Sequence, residues 1–356
     1  MYKKIFMGIA AVAALTLVSC SSDDLNSLSD NSSKNEAISF DGYLGRSAVA
    51  VNGSRGSELD KPALQGLTEG FGVFGNYKEA KGLEFGSNLF DNQKVTYSTD
   101  KTKWTYEPVK YWPTEGHIDF LAYAPYDSKY NDKVKKDNQK LDFIVNSTIK
   151  DQKDLLWANA KDQTKTDKPV KFTFNHALSR LGYTVKLKDA YSDATIKLKK
   201  ITLAGSADGT KGAFYKNGTI DLSYTPSTTT SPTTASLWTI SASEEKQYFE
   251  WVSGDKQLSK TDTKNSDTEY LFVIPQDFSK TEENADALYV IVEYTIQTGT
   301  TAIMTSKVCK KLDREFLQGK AYTINLTIGL TPIEFDADVT EWKIPTDGDI
   351  NINTWE

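Results

Sequence analysis

The chain has 356 residues, 38% of them hydrophobic and 12% aromatic, and a net charge of −6 from 42 basic against 48 acidic side chains. That mild balance, with no lysine-rich block in either half, excludes a nucleic-acid binder held by phosphate contacts. Two cysteines and two histidines exclude a disulfide-framed module and leave little from which to build a metal centre.

Lys3 and Lys4 precede an apolar run, Ile5 to Val18, that is too short to span a bilayer as a stable helix. LVSC at 17–20 then sets the small Ser19 before Cys20. Charge, length, small residues and cysteine in that register predict a bacterial lipoprotein signal, cleaved after residue 19 and lipidated on the Cys20 thiol. The plainer alternative is a secretory signal whose cysteine is incidental. Residues 20–37 are polar and lack a packing face, so they read as a flexible tether. Asp23 and Asp24 differ from the usual inner-membrane retention signal, which directs the chain to the outer membrane or cell surface. With Cys20 lipidated, Cys309 is the one remaining thiol, and stability has to come from core burial. No later segment is apolar enough to be a membrane span.

From Ile38 onward the hydrophobic period is two, not 3.6. GLTEGFGVFG at 66–75 reads as a turn cluster around short aromatic runs, and NDKVKKDNQK at 131–140 as a charged excursion. KDLLWANA at 153–160 reads as one helical turn. DQTKTDKPVK at 162–171 holds charges and a proline between apolar runs, and marks a domain boundary in this segment or just after it. Beyond it, LGYTVKLK places Leu181, Tyr183, Val185 and Leu187 on one face. ATIKLKKITLAG alternates through Ile196 and Leu198, then shifts phase at Lys200 to Ile201 and Leu203, which predicts a bulge or bend. STTTSPTTA at 227–235 is a low-complexity loop, and 241–270 reads as an insert decorating the surface. LYVIVEYTI is covered on both faces, and AYTINLTIGL aligns Tyr322, Ile324, Leu326, Ile328 and Leu330. The expected fold is all-β: two consecutive, mostly antiparallel β-sandwiches over 38–168 and 169–356.

Chemistry-bearing constellations are not legible. His117 and His176 have no metal-ligand spacing, and there is no nucleophile elbow, phosphate loop or dinucleotide fingerprint. His176, beside Phe172 and Phe174, reads as a satisfied structural histidine, and Asp119 as a solvent-facing strand position or turn bond. An exported enzyme would need titratable groups converging in a cleft from distant strands, which a sequence cannot display. The reading is no enzyme, no cofactor and no metal. A surface glycan-binding lipoprotein is a second class, since Trp104/Tyr106, Tyr111/Trp112 and Tyr248/Trp251 could stack on sugar rings if exposed.

The succession YWPTEGHIDFLAYAPY (111–126), DLLWANA (154–160), VKFTFNHALSRLGYTVKL (170–187), LFVIPQ (271–276) and GKAYTINLTIG (319–329) resembles the Bacteroidales fimbrillin family, the type V pilin-like lipoproteins. The matches keep family order from about residue 38 to the end. The resemblance implies two transthyretin-like β-sandwich domains and a subunit of a cell-surface fimbria supporting adhesion. It implies delivery to the outer membrane on a lipid anchor. A trypsin-like cut after an arginine then releases the leader with the first strand, and a strand from another subunit fills the vacated groove. The implied partners are other fimbrial subunits, of the same or another kind, and a host or bacterial surface receptor.

Carried onto this sequence, the removable first strand falls on ISFDGYL at 38–44, with Ile38, Phe40, Tyr43 and Leu44 as its apolar residues. The scissile residue is Arg46, following Gly45, with Arg55 in NGSRGSE as the alternative. The donor strand falls on the C-terminal stretch, where Ile333, Phe335, Ala337 and Val339 alternate. Shaft, tip and anchor roles all stay open; the arginines and the long tail favour a shaft or accessory subunit.

Overall fold

The computed structural model describes residues 36–44, 61–83, 86–225, 237–241, 243, 245–265, 269–282, 285–329 and 334–341. In chain order the first strands are β1 (Phe40–Leu44), β2 (Phe71–Lys78), β3 (Ser87–Ser98), β4 (Lys103–Thr105) and β5 (His117–Ala124). They are followed by β6 (Lys140–Ile144), β7 (Leu156–Gln163), β8 (Val170–His176), β9 (Ser179–Leu187), β10 (Thr195–Ala204), β11 (Phe214–Tyr215) and β12 (Asn217–Asp221). Next come β13 (Trp238–Thr239), β14 (Lys246–Gln247), β15 (Phe249–Gln257), β16 (Thr263–Lys264), β17 (Leu271–Val273) and β18 (Gln276–Asp277). The last are β19 (Tyr289–Thr298), β20 (Thr301–Lys311), β21 (Glu315–Phe316), β22 (Lys320–Ile328) and β23 (Glu334–Glu341). Among the described residues one α-helix, Lys61–Gly66, packs Leu64 into the core.

The all-β expectation is met. A seven-strand sheet runs β1-β8-β7-β5-β2-β3-β4, antiparallel except for β1 beside β8. It curls on itself: β7 and β8 meet through only two residue pairs, and β3 passes from β2 to β4 along its length. Phe40, Phe71, Phe90, Phe120, Phe172 and Phe174 fill the inside of the curl. The opposite face of the central strands carries Phe74, Leu121, Tyr123 and Trp157, which join the core of the C-terminal half. β2 and β5 are covered on both faces, so nearly every position along them is buried.

Glycine in the 66–75 stretch marks close packing as well as turns. Gly72 and Gly75 lie inside β2, where a Cβ would come 2.4 Å from the Tyr123 ring and 2.8 Å from the Phe90 ring respectively. The single turn expected over 153–160 lies earlier, at Ile149–Asp151, and Leu156 onward is β7. Its continuous apolar character comes from a strand covered on both faces.

In the C-terminal half a four-strand sheet, β15-β10-β19-β20, faces a sheet ordered β16-β9-β22-β23, with β17 also bonded to β9. Tyr183, Val185, Ile324 and Leu326 meet Leu198, Ile201, Val290 and Val292 in one core. The phase shift read at Lys200 is a bulge: β10 changes register against both neighbours between Leu198 and Lys200. The 241–270 segment is more than decoration, because β15 within it buries Phe249 and Trp251 as an edge of the four-strand sheet. The change of sheet comes after the 162–171 segment. β8 completes the first sheet, Ala177 and Leu178 are buried at the crossover, and β9 begins the next. β6, from the N-terminal half, pairs with β12 in a three-strand sheet with β13, which ties the halves together.

Candidate functional site

The candidate removable strand sits where its removal matters to the core. Glu36 to Ile38 zips against 110–112: the Trp112 N–H donates to Glu36 O at 2.9 Å and the Ile38 N–H to Lys110 O at 2.8 Å. The chain then crosses to the other side of the curl. The Val170 N–H donates to Ser39 O at 2.8 Å, and Phe40 to Leu44 run parallel to Val170 to Phe174. On the sheet path β1 is terminal, so one of its edges carries no strand among the described residues.

Although it lies at an edge, β1 is an apolar plug. Phe40 is 4% exposed and Ile38 2%. The Phe40 ring is enclosed by Phe90, Tyr106, Phe120 and Phe172, with centroids 5.4 to 5.6 Å away. Two steps on, Gly42 lets Phe174 and Trp104 close over the backbone. The Tyr106 hydroxyl donates to Ile38 O at 2.7 Å, and its burial pushes the phenol above its ordinary range. Along the free side of Ala37 to Ser39 an open groove of about 670 Å³ runs towards Lys94, Lys101 and Lys103.

Of the other sequence-predicted residues, Cys20, Arg46, Arg55 and Ile333 lie outside the described residues. Tyr43 and Leu44 occupy β1 positions opposite Thr173 and Phe174. Phe335, Ala337 and Val339 stand in β23 opposite Leu326, Ile324 and Tyr322 of β22. First strand and donor candidate are therefore both terminal strands of their sheets, on separate sheets. Each sits beside a strand with the same neighbourhood. β8 has β1 parallel on one side and β7 antiparallel on the other; β22 has β9 parallel and β23 antiparallel.

Sequence reasoning missed the aromatic cage around Phe40, whose members come from four separate elements. The parallel pairing of β1 with β8 was equally hidden, because alternation states a face and never a partner. Asp119 departs from the solvent-facing expectation: it is 7% exposed and its Oδ1 lies 3.0 Å from Lys78 Nζ, which also binds Asp162 at 2.5 Å. A buried lysine drew it inward. His176 is buried, with Nδ1 2.7 Å from Asp154 Oδ2. In the aromatic pairs, Trp104, Tyr106, Trp112 and Trp251 are buried, while Tyr111 and Tyr248 are the exposed members. No row of exposed rings results among these three pairs. Among the described residues, no cluster of three or more metal-ligating side chains occurs and no helix is long and apolar enough to cross a membrane.

Comparison with known proteins converges on one group. The chain is 26% identical to the fimbrium subunit Fim1C of Phocaeicola vulgatus, over 97% of this chain and 98% of that one. Its fold is similar to the crystal structure of a fimbrial protein from Bacteroides vulgatus, with a TM-score of 0.65 at 21% identity, covering 87% of this chain and all of that one. The model of the fimbrillin-like family matches residues 63–342, which take in every strand from β2 to β23. The chain belongs to the fimbrillin-like family.

Proposed function

We propose that this protein is a structural subunit of a cell-surface fimbria, not an enzyme, and that its subunits join by strand exchange in support of adhesion. The observation that carries this reading is Phe40: a core residue in an aromatic cage, mounted on a terminal strand. Cleavage at Arg46 or Arg55 separates β1 from the rest of the chain, leaving the fragment held by its pairing with β8, by the bonds of Glu36 to Ile38 with 110–112 and Tyr106, and by burial of its side chains. Its loss uncovers Phe172, Phe90, Phe120 and Tyr106 and frees the edge of β8. Fully burying one large apolar side chain is worth about 1.5–3 kcal/mol, so an emptied groove favours any strand that refills it with alternating apolar residues. The C-terminal segment carrying Ile333, Phe335, Ala337 and Val339 is that strand, leaving β22 of its own chain to enter the groove of another.

In the same reading, residues 1–19 are a signal peptide, Cys20 carries the lipid that brings the subunit to the outer membrane, and 20–37 form the tether. The two-domain division is supported by the repeated neighbourhood of β8 and β22, in which the opening strand of each half runs parallel to a late strand of that half. The name of the similar Phocaeicola vulgatus protein, a fimbrium subunit, supports assembly with other subunits. The test is intact mass and oligomeric state before and after limited trypsin treatment. Loss of one N-terminal fragment ending at Arg46 or Arg55, followed by a ladder of SDS-resistant oligomers, is the expected result. A chain that loses the fragment and stays monomeric counts against donation and favours a tip role. A chain that loses nothing favours an anchor role.

A further inference from the structure

β20 is the outermost strand of its four-strand sheet, bonded to β19 on one side and to no strand on the other among the described residues. It is eleven residues long, TAIMTSKVCKK. A free row of backbone N–H and C=O groups templates further pairing, so edge strands are normally short, bulged, interrupted by proline or guarded by charge. Other edges here obey that rule. β4 has three residues and β16 has two. β15 faces the bulge in β10 and carries Gly254 and Asp255 in the left-handed region. β20 has no proline, and its only register shift lies near its start, opposite Ile296 and Gln297. Its safeguards are charge and that one shift, and the lysines are engaged on their own chain. Lys307 Nζ donates to Asp208 O at 3.0 Å, and Lys311 pairs with Asp313 at 3.1 Å.

The lysine positions select the partner. In an antiparallel pair, opposite residues point to the same face, so a strand meeting its own copy about a twofold axis must centre on a single residue. Centring on Ser306 places the regular stretch from Met304 to Val308 symmetrically about the axis. Met304 then faces Val308 of the second copy and Thr305 faces Lys307. No lysine meets a lysine. Centring on Lys307 would set that residue against itself, and centring on Cys309 would set Lys307 against Lys311; like charges directly opposite are destabilising. The apolar match is also favourable. Met304 is 49% exposed, while Val308 already packs against the sandwich core, so their pairing extends that core across the junction.

We propose that β20 pairs with the β20 of a second copy of this chain, antiparallel and centred on Ser306, joining two four-strand sheets into one. The contact uses neither β1 nor β23, so it links subunits side by side independently of any end-to-end strand exchange.

The test uses the full, uncleaved chain with Cys20→Ser and Cys309→Ser, so that strand exchange plays no part. Ser306→Cys in that background places two thiols on directly opposite residues, whose Cα atoms lie about 4.5–5.5 Å apart in an antiparallel ladder, within disulfide reach. Oxidation is expected to give a covalent dimer in several-fold higher yield than Met304→Cys, which lies on the same strand but off the axis. Thr305→Glu, facing Lys307 of the second copy, is expected to raise the dimer fraction in sedimentation equilibrium, and Thr305→Lys to lower it. A Ser306→Cys yield no higher than that of Met304→Cys, or equal self-association of the two Thr305 variants, overturns the proposal.

Discussion

The rings of Phe40 and Phe172 stack with centroids 5.6 Å apart and planes inclined by 24°, on neighbouring parallel strands far separated in sequence. Parallel neighbours cannot be joined by a tight turn, so β1 is held to β8 only by pairing and packing, with the whole first sheet intervening along the chain. A strand attached in this way can be cut loose without severing any other element of the sheet.

Replacing Phe40 by alanine is therefore expected to destabilise the uncleaved chain on the scale of a core truncation, about 3–5 kcal/mol, although the residue sits on a terminal strand. The denaturation midpoint in urea checks it. A loss of the size typical of surface positions, within about 0.5 kcal/mol, would show that the cage does not hold the strand.

Tyr106→Phe keeps the ring in the cage and removes the bond from its hydroxyl to Ile38 O, together with a longer one it accepts from the Lys110 N–H at 3.3 Å. The expected cost is about 0.5–1.5 kcal/mol. Because the bond clamps the first strand, the N-terminal fragment of the trypsin-cut chain is expected to dissociate faster than from the unaltered protein. Size-exclusion chromatography of the two cut chains in parallel measures this.

Gly72→Ala is expected to destabilise by about 1–3 kcal/mol, through overpacking. Its Cβ would fall 2.4 Å from the Tyr123 ring and 2.6 Å from Asn92 Oδ1, and those two side chains are themselves joined by a 2.7 Å hydrogen bond. Thermal unfolding compared with Gly82→Ala, where a Cβ meets nothing but φ is +79°, separates crowding from backbone strain.

These positions show how far the sequence could be read. Strand identity was legible wherever one face is solvated, as in β22, whose Tyr322, Ile324, Leu326 and Ile328 are all buried. The bulge at Lys200 was legible because a phase shift in a period-two pattern has one physical meaning. Strands covered on both faces were harder. β2 looked like a turn cluster since its glycines serve ring packing, and β7 looked like a helical turn since its apolar run has no period. At the candidate site, the apolar residues of the first strand were legible, and Phe40 and Ile38 are core residues as that reading requires. Their partners were not, because the cage draws on β3, β5, β8 and the loop after β4, and no local pattern records which distant rings will meet.

The Lys78, Asp119 and Asp162 cluster gives a pH signature. Burial lowers the Lys78 pKa, but hydrogen bonds to Asp162 and Asp119 and their charges outweigh it and leave the ammonium above its ordinary range. The Lys78 hydrogen bond in turn holds Asp162 below the ordinary carboxylate range. A depressed carboxylate contributes stability that is present above its unfolded value of 3.8 and is lost as pH falls through the folded value. The raised lysine contributes stability that is present below 10.5 and is lost as pH rises through its folded value. Lys78→Met is expected to flatten both limbs. It also leaves the buried Asp119 carboxylate unpaired, at a cost of about 3–5 kcal/mol near neutrality. Urea midpoints measured from pH 2 to 6 and from pH 9 to 11 test the two limbs separately. Unchanged slopes in Lys78→Met would show that other groups set them.

The donor assignment is testable at Phe335. In β23 it stands opposite Leu326, and Ala337 and Val339 stand opposite Ile324 and Tyr322, which are buried core residues on one face of β22. A donor strand offers its Phe335 face to the groove that Phe40 vacates. An ionised carboxylate there would have to be desolvated among aromatic rings without a partner, which strongly disfavours insertion. Phe335→Asp is therefore expected to be cut by trypsin at the same arginine as the unaltered chain and then to form no ladder by itself. Its own groove is unaltered, so it remains able to accept a strand. Mixed in increasing proportion with cleaved, unaltered chain, it is expected to shorten the ladder progressively, because each copy that enters accepts one neighbour and offers nothing to the next. A Phe335→Asp chain that assembles as far as the unaltered protein would remove this segment as the donor, while leaving the groove and its cage as the acceptor.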